Sequence, residues 1–457
     1  MPYPRFRINM GLKELGFSLA AVLSGDSVDS PRRFSGALEK FSGFANVIPV
    51  SSGRAGFRLL LEILEFEPGS EIIFPAYTFH PMPVVAAEYG LKPVFADVDP
   101  RTWNIDPEKI APLITKQTKA IVPTHLFGVP ADMDAIGKIA HPHGLFVIED
   151  CAHSLGARYL DRPVGNLGDA ALFTFAMSKN LPCWGGGAMV LKDPELATRM
   201  RERIETQRTP SAFSVLNRQR SNIIALILTQ PWIFPWTLYL LLRMAGARGS
   251  NYFDRPFLEE VRGIGNQLSV ISPEKHRRDG ASGSQLHFDS QYAGDRKFES
   301  HTTDHGSGIT GLADNCKSLI TGLSPFQASV GLRQLARFPR WLEKQVRNAR
   351  LLRDRLKNCR GFQLQQEPSG ARSSFLYVRA RVDNPGKVRQ TLLLKGVDTK
   401  PDDMRNCAGL KIFGDQMLCR YAARLGGHCI EIPCSHFYSE RQIMRLADRI
   451  LSVASRF

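Results

Sequence analysis

Apolar and polar positions switch between two periods along the first half of the chain. From Ile48 to about Arg208, short apolar runs of strand length are separated by stretches with helical spacing. Strands are expected at Glu71–Pro75, Pro93–Ala96, Ala120–Pro123 and Leu145–Glu149, and helices at Phe57–Phe66, Met82–Tyr89 and Met133–His141. Short apolar strands between helices predict a mostly parallel sheet covered on both faces, an α/β class. A second α/β pattern begins at Pro325. It predicts helices at Phe326–Leu335 and Trp341–Leu356, a strand at Ser374–Arg379, a helix at Asn384–Lys395 and a closing amphipathic helix at Glu440–Ala454. The expected organisation is a large domain over 1–208, an insertion over 209–321 and a smaller C-terminal α/β domain over 322–457.

The insertion breaks the pattern. Ile223–Leu242 is 20 residues without a formal charge, long enough by count to span a bilayer. Pro231 and Pro235 interrupt it, and two prolines four residues apart break a straight helix. Each arm then reaches only about 12 Å, against ~30 Å of hydrocarbon. Both flanks are basic, with Arg218 and Arg220 before and Arg243 and Arg248 after. That symmetry suits a hairpin that dips in and returns to one side. Two readings stand: a hairpin touching a membrane surface from the cytoplasmic side, or a hairpin buried in a subunit interface. Residues 272–315 are polar and rich in Gly, Ser, Asp and His, and predict a long loop. His276, His287, His301 and His305 lie there without zinc spacing, so no metal is expected.

Composition changes the picture only in part. Hydrophobic residues are 43% and charged residues 23%, which excludes wholesale disorder and fibrous repeats. The formal charge is +15, which favours acidic small molecules or anionic surfaces. The insertion from Thr209 to Cys316 carries 11 basic and 10 acidic residues, so the excess belongs to the α/β body. Nucleic acid is not the expected partner. The eight cysteines show no C-x-x-C pair and no apolar leader opens the chain, which points to reduced thiols and a cytoplasmic setting.

Four pieces of the first half bear chemistry. Ser51-Ser52-Gly53-Arg54-Ala55-Gly56 leads into a helix, where small residues let backbone N–H groups approach a phosphate. Pro75-Ala76-Tyr77-Thr78-Phe79 ends a strand and offers an aromatic ring at the edge where open α/β sheets bind ligands. The strand Leu145–Glu149 delivers Asp150 to the same edge, with His153 three residues on; a carboxylate there can pair with a protonated ring nitrogen. Ala171-Leu172-Phe173-Thr174 leads to Lys179, which a partly desolvated cleft would make nucleophilic enough to form a Schiff base with an aldehyde. Each piece alone has a plain structural reading: a helix cap, a core ring, a satisfied core histidine, a surface lysine.

Together, and with Pro93-Val94-Phe95-Ala96-Asp97-Val98-Asp99, Thr118 through Gly128, Ile148-Glu149-Asp150-Cys151-Ala152-His153 and Val164-Gly165-Asn166-Leu167-Gly168-Asp169, they resemble the DegT/DnrJ/EryC1/StrS family of sugar aminotransferases. Ser324-Pro325-Phe326-Gln327-Ala328 carries the resemblance into the second half. It implies the type I fold of pyridoxal-phosphate (PLP) enzymes and a homodimer. It implies that Lys179 bonds the cofactor and shuttles a proton, and that Asp150 pairs with the pyridine nitrogen. It further implies that His153 lies near the ring, Phe79 stacks on it, and Gly53, Arg54 and Thr174 hold the phosphate. Two positions depart from the pattern: Trp184-Gly185-Gly186-Gly187 lacks the family's acid, and Ile320-Thr321-Gly322-Leu323 stands where an Asn-x-Arg-Met segment is usual.

The reading is therefore a PLP-dependent aminotransferase. It would move an amino group from glutamate or glutamine to a keto-sugar, nucleotide- or lipid-linked. The alternative is a degenerate member serving as a membrane-associated scaffold or regulator, favoured by the two departures and opposed by the retained Lys179 and Asp150.

Overall fold

The computed structural model describes residues 28–247 and 321–454 apart from 208, 231, 401, 414, 415, 417 and 418, together with 2–4, 10, 14–18 and 20. The polar loop 272–315, its histidines, Arg248, Cys316 and Ile320 lie outside the described residues. In chain order the strands are β1 (Val47–Val50), β2 (Glu71–Pro75), β3 (Tyr77–Thr78), β4 (Lys92–Ala96), β5 (Thr118–Ile121), β6 (Phe146–Asp150), β7 (Arg158–Tyr159), β8 (Arg162–Pro163), β9 (Ala170–Thr174) and β10 (Gly187–Leu191). After the insertion come β11 (Gln363–Leu364), β12 (Ala371–Arg372), β13 (Val378–Arg381), β14 (Arg405–Asn406) and β15 (Cys429–Ile432).

Seven strands form the main sheet in the order β1-β10-β9-β6-β5-β2-β4. Strands β4, β2, β5, β6 and β9 run parallel, while β10 is antiparallel to both β9 and β1. Every residue of β2 and β10 is buried, as a sheet covered on both faces requires. The register pairs Asp150 with Leu172, so β6 and β9 finish side by side at one edge, where Asp150 and Thr174 emerge.

The second half builds a three-stranded antiparallel sheet, β11-β13-β15. Its apolar face shares a core with the closing helix Glu440–Ala454, through Ile443, Leu446, Ala447, Ile450 and Val453. The two halves are also stitched by strand pairs: β14 lies on β3, with Arg405 opposite Thr78, and β12 lies on β7.

One expectation is corrected. The two helices expected on either side of Pro339 are a single helix, Pro325–Leu356, with Pro339 inside it. A proline removes one helical hydrogen bond and usually ends the helix. Here Phe326, Leu335, Phe338, Ala349, Leu352 and Leu356 are all buried along its length, in three successive core clusters, and this tertiary packing outweighs the lost bond. The start of the helix is fixed by Ser324 and Gln327, which form a reciprocal capping box.

Candidate active site

Lys179 sits in the loop between β9 and β10, half-buried, its backbone N–H closing a turn on the Ala176 carbonyl at 3.0 Å. Burial pulls its pKa down to about 8. The Lys400 charge pulls in the same direction, while Asp150, Asp403 and Glu431 oppose it. Asp150 ends β6 and is buried. Its carboxylate accepts the Ala152 N–H at 3.0 Å. Burial pushes its pKa up, against the Ala152 bond and the Lys179 charge. A lysine whose neutral form is accessible and a buried acid thus face one another electrostatically at the carboxyl edge of the sheet.

The turn before the helix Gly53–Leu64 forms a backbone cradle. Ser52 caps this helix by accepting the Ala55 N–H at 3.1 Å. A Cβ built on Gly187 would come 2.7 Å from the Gly53 nitrogen, so only glycine lets β10 approach the helix start so closely. The Thr174 hydroxyl donates to the Gly186 carbonyl at 3.3 Å, a long bond that it can exchange for an anion. Arg54 is half-buried on the first turn, and its charge is felt at His80 together with that of Arg405. Phe79 follows β3 and is partly exposed, its ring 5.8 Å from that of His80. The Thr78 hydroxyl lies 3.3 Å from that of Thr124, which bridges to Asp150. The fold therefore brings Gly53, Arg54 and Thr174 to one corner, and Asp150, His153 and Lys179 to another. Phe79 follows the end of β3, next to Thr78, whose hydroxyl neighbours Thr124.

His153 is buried, and its Nδ1 accepts the Phe127 N–H at 3.2 Å. Burial drives its pKa well down, aided by the charges of Lys179, Arg379 and Lys400, so the ring is neutral with its proton on Nε2. The Phe127 ring stacks on His153 at 5.3 Å between centroids, and the Arg379 guanidinium lies 3.6 Å from the Phe127 centroid. Phe127 holds this place with a φ of 58°, in the left-handed region.

Several residues of the site were not anticipated. Arg379 on β13 is fully buried, 3.2 Å from Asp402 and 2.9 Å from Glu431. Tyr77 donates to Asp402 at 2.7 Å. Lys400 is paired with Asp403 and lies 3.9 Å from Glu431. Burial acts against the Lys400 charge, but Glu431 and Asp403 outweigh it and its pKa is raised. The residue after the lysine, Asn180, donates to the His153 carbonyl at 3.3 Å and accepts from Gln345 at 3.0 Å.

This cluster gives a pH prediction. An amine attacks an aldehyde only when neutral, so cofactor uptake at Lys179 should rise with pH through about 8. Lys400→Met removes a like charge and leaves Asp403 and Glu431 to favour the ammonium form of Lys179. Both effects raise the Lys179 pKa, so the midpoint of uptake rate against pH should move upward. An unchanged or lower midpoint would contradict the coupling.

His125, Glu149 and Cys151 also lie together, all buried, close enough to suggest a metal. The donor atoms of His125 and Glu149 are occupied. Glu149 accepts N–H groups of Gly165, Leu167 and Gly168 at 2.6–2.9 Å and the His125 Nε2 at 3.0 Å. His125 Nδ1 accepts the Ala131 N–H at 2.9 Å. These bonds and the His125 contact hold the Glu149 pKa down despite burial. The cluster pins the loop under the sheet and leaves a cation no free lone pair on the carboxylate.

The model of the DegT/DnrJ/EryC1/StrS aminotransferase family matches residues 20–216 and 302–450. The chain belongs to this family. The family and its structural neighbours are PLP-dependent aminotransferases. One relative is a UDP-N-acetyl-3-dehydro-alpha-D-glucosamine 3-aminotransferase of Acidithiobacillus ferrooxidans, 44% identical over 161 residues, 35% of this chain and 44% of that protein. Another is an L-glutamine:2-deoxy-scyllo-inosose aminotransferase of Streptomyces lividus, 40% identical over 169 residues, 37% of this chain and 40% of that protein. The chain thus matches less than half the length of these curated relatives. The crystal structure of the aminotransferase TlmJ from Streptoalloteichus hindustanus shares the fold over the whole of both chains, with a TM-score of 0.70 and 19% identity.

The residues of this chain fit the family's cofactor. The glycine-lined cradle at Gly53 and Gly187 suits a phosphate. The donor set beyond it is a lysine with a depressed pKa and a buried carboxylate, which suits an aldehyde and a basic ring nitrogen.

Proposed function

We propose that this chain is a PLP-dependent aminotransferase that transfers an amino group from glutamate or glutamine to a keto-sugar carried on a nucleotide or a lipid. The observation that carries the reading is Lys179, its pKa lowered to about 8, within electrostatic reach of buried Asp150 at the carboxyl edge of the sheet. Bound there, the cofactor supplies an aldehyde for the lysine and a protonated ring that takes up electrons as a C–H bond breaks. Lys179 binds it through Nζ, and as a free amine accepts and returns the proton at Nζ. Asp150 would hold a proton on the ring nitrogen. Gly53, Arg54 and Thr174 would hold the phosphate, Phe79 would cover the ring, and neutral His153 would lie near it as a hydrogen-bond donor.

The names of the relatives support the finer parts. One acts on a 3-dehydro sugar nucleotide, and another is named for glutamine as donor. The reading includes a division into a cofactor-binding part over 1–208, an insertion over 209–321 and a smaller C-terminal part over 322–457, acting as a homodimer in the cytoplasm. All seven described cysteines are free, consistent with a reducing compartment.

The purified protein should be yellow, should lose that absorbance on borohydride reduction, and should then carry the cofactor mass on the Lys179 peptide. It should release 2-oxoglutarate from glutamate in the presence of a keto-sugar nucleotide. A protein that takes up no added cofactor would instead be a scaffold or regulator. Sedimentation should give a dimer, and a fully active monomer would remove that part of the reading.

A further inference from the structure

The segment Ile223–Leu242 is broken into two short helices. The helix Arg220–Leu228 is followed by a turn with a 3-10 step at Phe234–Trp236 and then by the helix Leu238–Ala247. No helix among the described residues is long and apolar enough to cross a membrane. The segment has two faces. Leu226 of its first arm packs with Val215, Met177, Trp184 and Phe326 beneath the lysine loop. In the second arm, the Tyr239 hydroxyl donates to the Leu393 carbonyl at 3.3 Å.

The other face is apolar and in the open. Trp236 is 80% exposed, Leu241 66% and Trp232 64%, with Leu240, Ile224 and Met244 around them. So many large exposed apolar side chains within one short segment mark a contact surface. Its chemistry selects the partner. The polar side chains of the turn are satisfied from within: Thr229 donates to Ala225, Gln230 to Leu226 and Thr237 to Ile233, all at 2.7–3.0 Å. Thr229 and Gln230 belong to the buried side of the segment, so this pairing answers to the protein core, and the charge around the exposed face is what selects the partner. Between Thr209 and Ala247 there is no Asp or Glu. Arg218, Arg220 and Arg243 are exposed, two before the first short helix's apolar run and one within the second helix, a turn from Leu240. Exposed tryptophans and leucines with arginines beside them, and no acid, match the chemistry of an anionic bilayer surface.

We infer that this segment is a monotopic anchor that inserts Trp232, Trp236, Leu240 and Leu241 into the surface of a bilayer containing anionic lipid. Leu226, in the helix before the inserted residues, packs against Met177 and Trp184 of the lysine loop. Anchoring itself does not rest on the aminotransferase reading, because vesicle binding is read without activity and cofactor uptake is read separately.

The test is flotation of the full chain with vesicles of phosphatidylcholine alone or mixed with phosphatidylglycerol. Wild type should float with the anionic vesicles and about a hundred-fold more weakly with the neutral ones, for three arginines near the surface. W232S/W236S/L240S/L241S changes only exposed side chains and should stay at the bottom, while keeping cofactor uptake and the wild-type sedimentation coefficient. Brominated lipid should quench tryptophan fluorescence in wild type, a measurement that needs no variant. R218Q/R220Q/R243Q keeps the apolar face and should lose most of the preference for anionic vesicles. Wild type that floats with neither vesicle overturns the proposal, as does equal flotation of the quadruple variant. A quadruple variant that sediments as a smaller species also overturns it, and makes this face an interface between two copies of the chain.

Discussion

Lys179→Ala should leave a folded protein that no longer bonds the cofactor and no longer transfers amino groups. The side chain is half-buried in a loop, so its removal deletes a desolvated amine rather than a packing element. The backbone turn onto Ala176 does not depend on it. Two functions vanish together: the covalent hold, and a positioned acid–base group typically worth about 10²–10⁴ in rate. Borohydride should therefore trap no cofactor, and turnover should fall by at least about that factor. Lys400 is the control. It is the other lysine in electrostatic contact with the site, yet it is paired with Asp403 and beside Glu431. Lys400→Met should keep the borohydride-trapped adduct. A Lys179→Ala protein that transaminates at the wild-type rate would move the reaction elsewhere.

Asp150→Ala should bind the cofactor about ten- to a hundred-fold more weakly, the loss of one charge-assisted hydrogen bond of roughly 1.5–3 kcal/mol. Turnover should fall further than binding, since an unprotonated ring accepts electrons poorly. Asp150→Asn separates charge from shape, because its side-chain oxygen can still accept the Ala152 N–H that Asp150 holds at 3.0 Å. It should bind cofactor better than the alanine variant yet be nearly as slow. Asp150 favours the charged form of Lys179. Its neutralisation should therefore move the pH midpoint of cofactor uptake downward, opposite to Lys400→Met. Normal rates in both variants would dismiss Asp150 as the ring's partner.

What the sequence made legible follows strand ends. Asp150 and Thr174 close apolar runs, and an apolar run that stops at a polar residue marks a sheet edge without knowledge of the rest of the fold. The glycines at 185–187 were legible as a close approach, and Gly187 is where β10 meets the start of the Gly53 helix. The charged group behind the lysine was not. Arg379, the pair Lys400 and Asp402, and Glu431 stand on three separate segments, and each alone is one charge among many. Nothing local says that Arg379 is fully buried or that its guanidinium lies on Phe127. The bond between Asn180 and Gln345 spans 165 positions and has no periodic trace. Pro339 misled because propensity speaks for an isolated helix, and this one is held by its tertiary packing. The segment Ile223–Leu242 was legible as a break at its prolines, whereas its division into an inner and an outer face emerged only once Met177 and Trp184 were placed beneath it.

The long helix Pro325–Leu356 touches the lysine loop twice. Near its start Gln327 donates to the Trp184 carbonyl at 3.1 Å, and further along Gln345 donates to Asn180 at 3.0 Å. The helix is thus a ruler laid across the loop, with Lys179 just beyond its second mark. Each residue of an α-helix turns the next by about 100°. One residue inserted or deleted between Gln327 and Gln345 would swing the second mark to another face of the rod. The exposed surface of that stretch can drift in sequence, but its length cannot change by a single residue without releasing the lysine loop from one of its two holds.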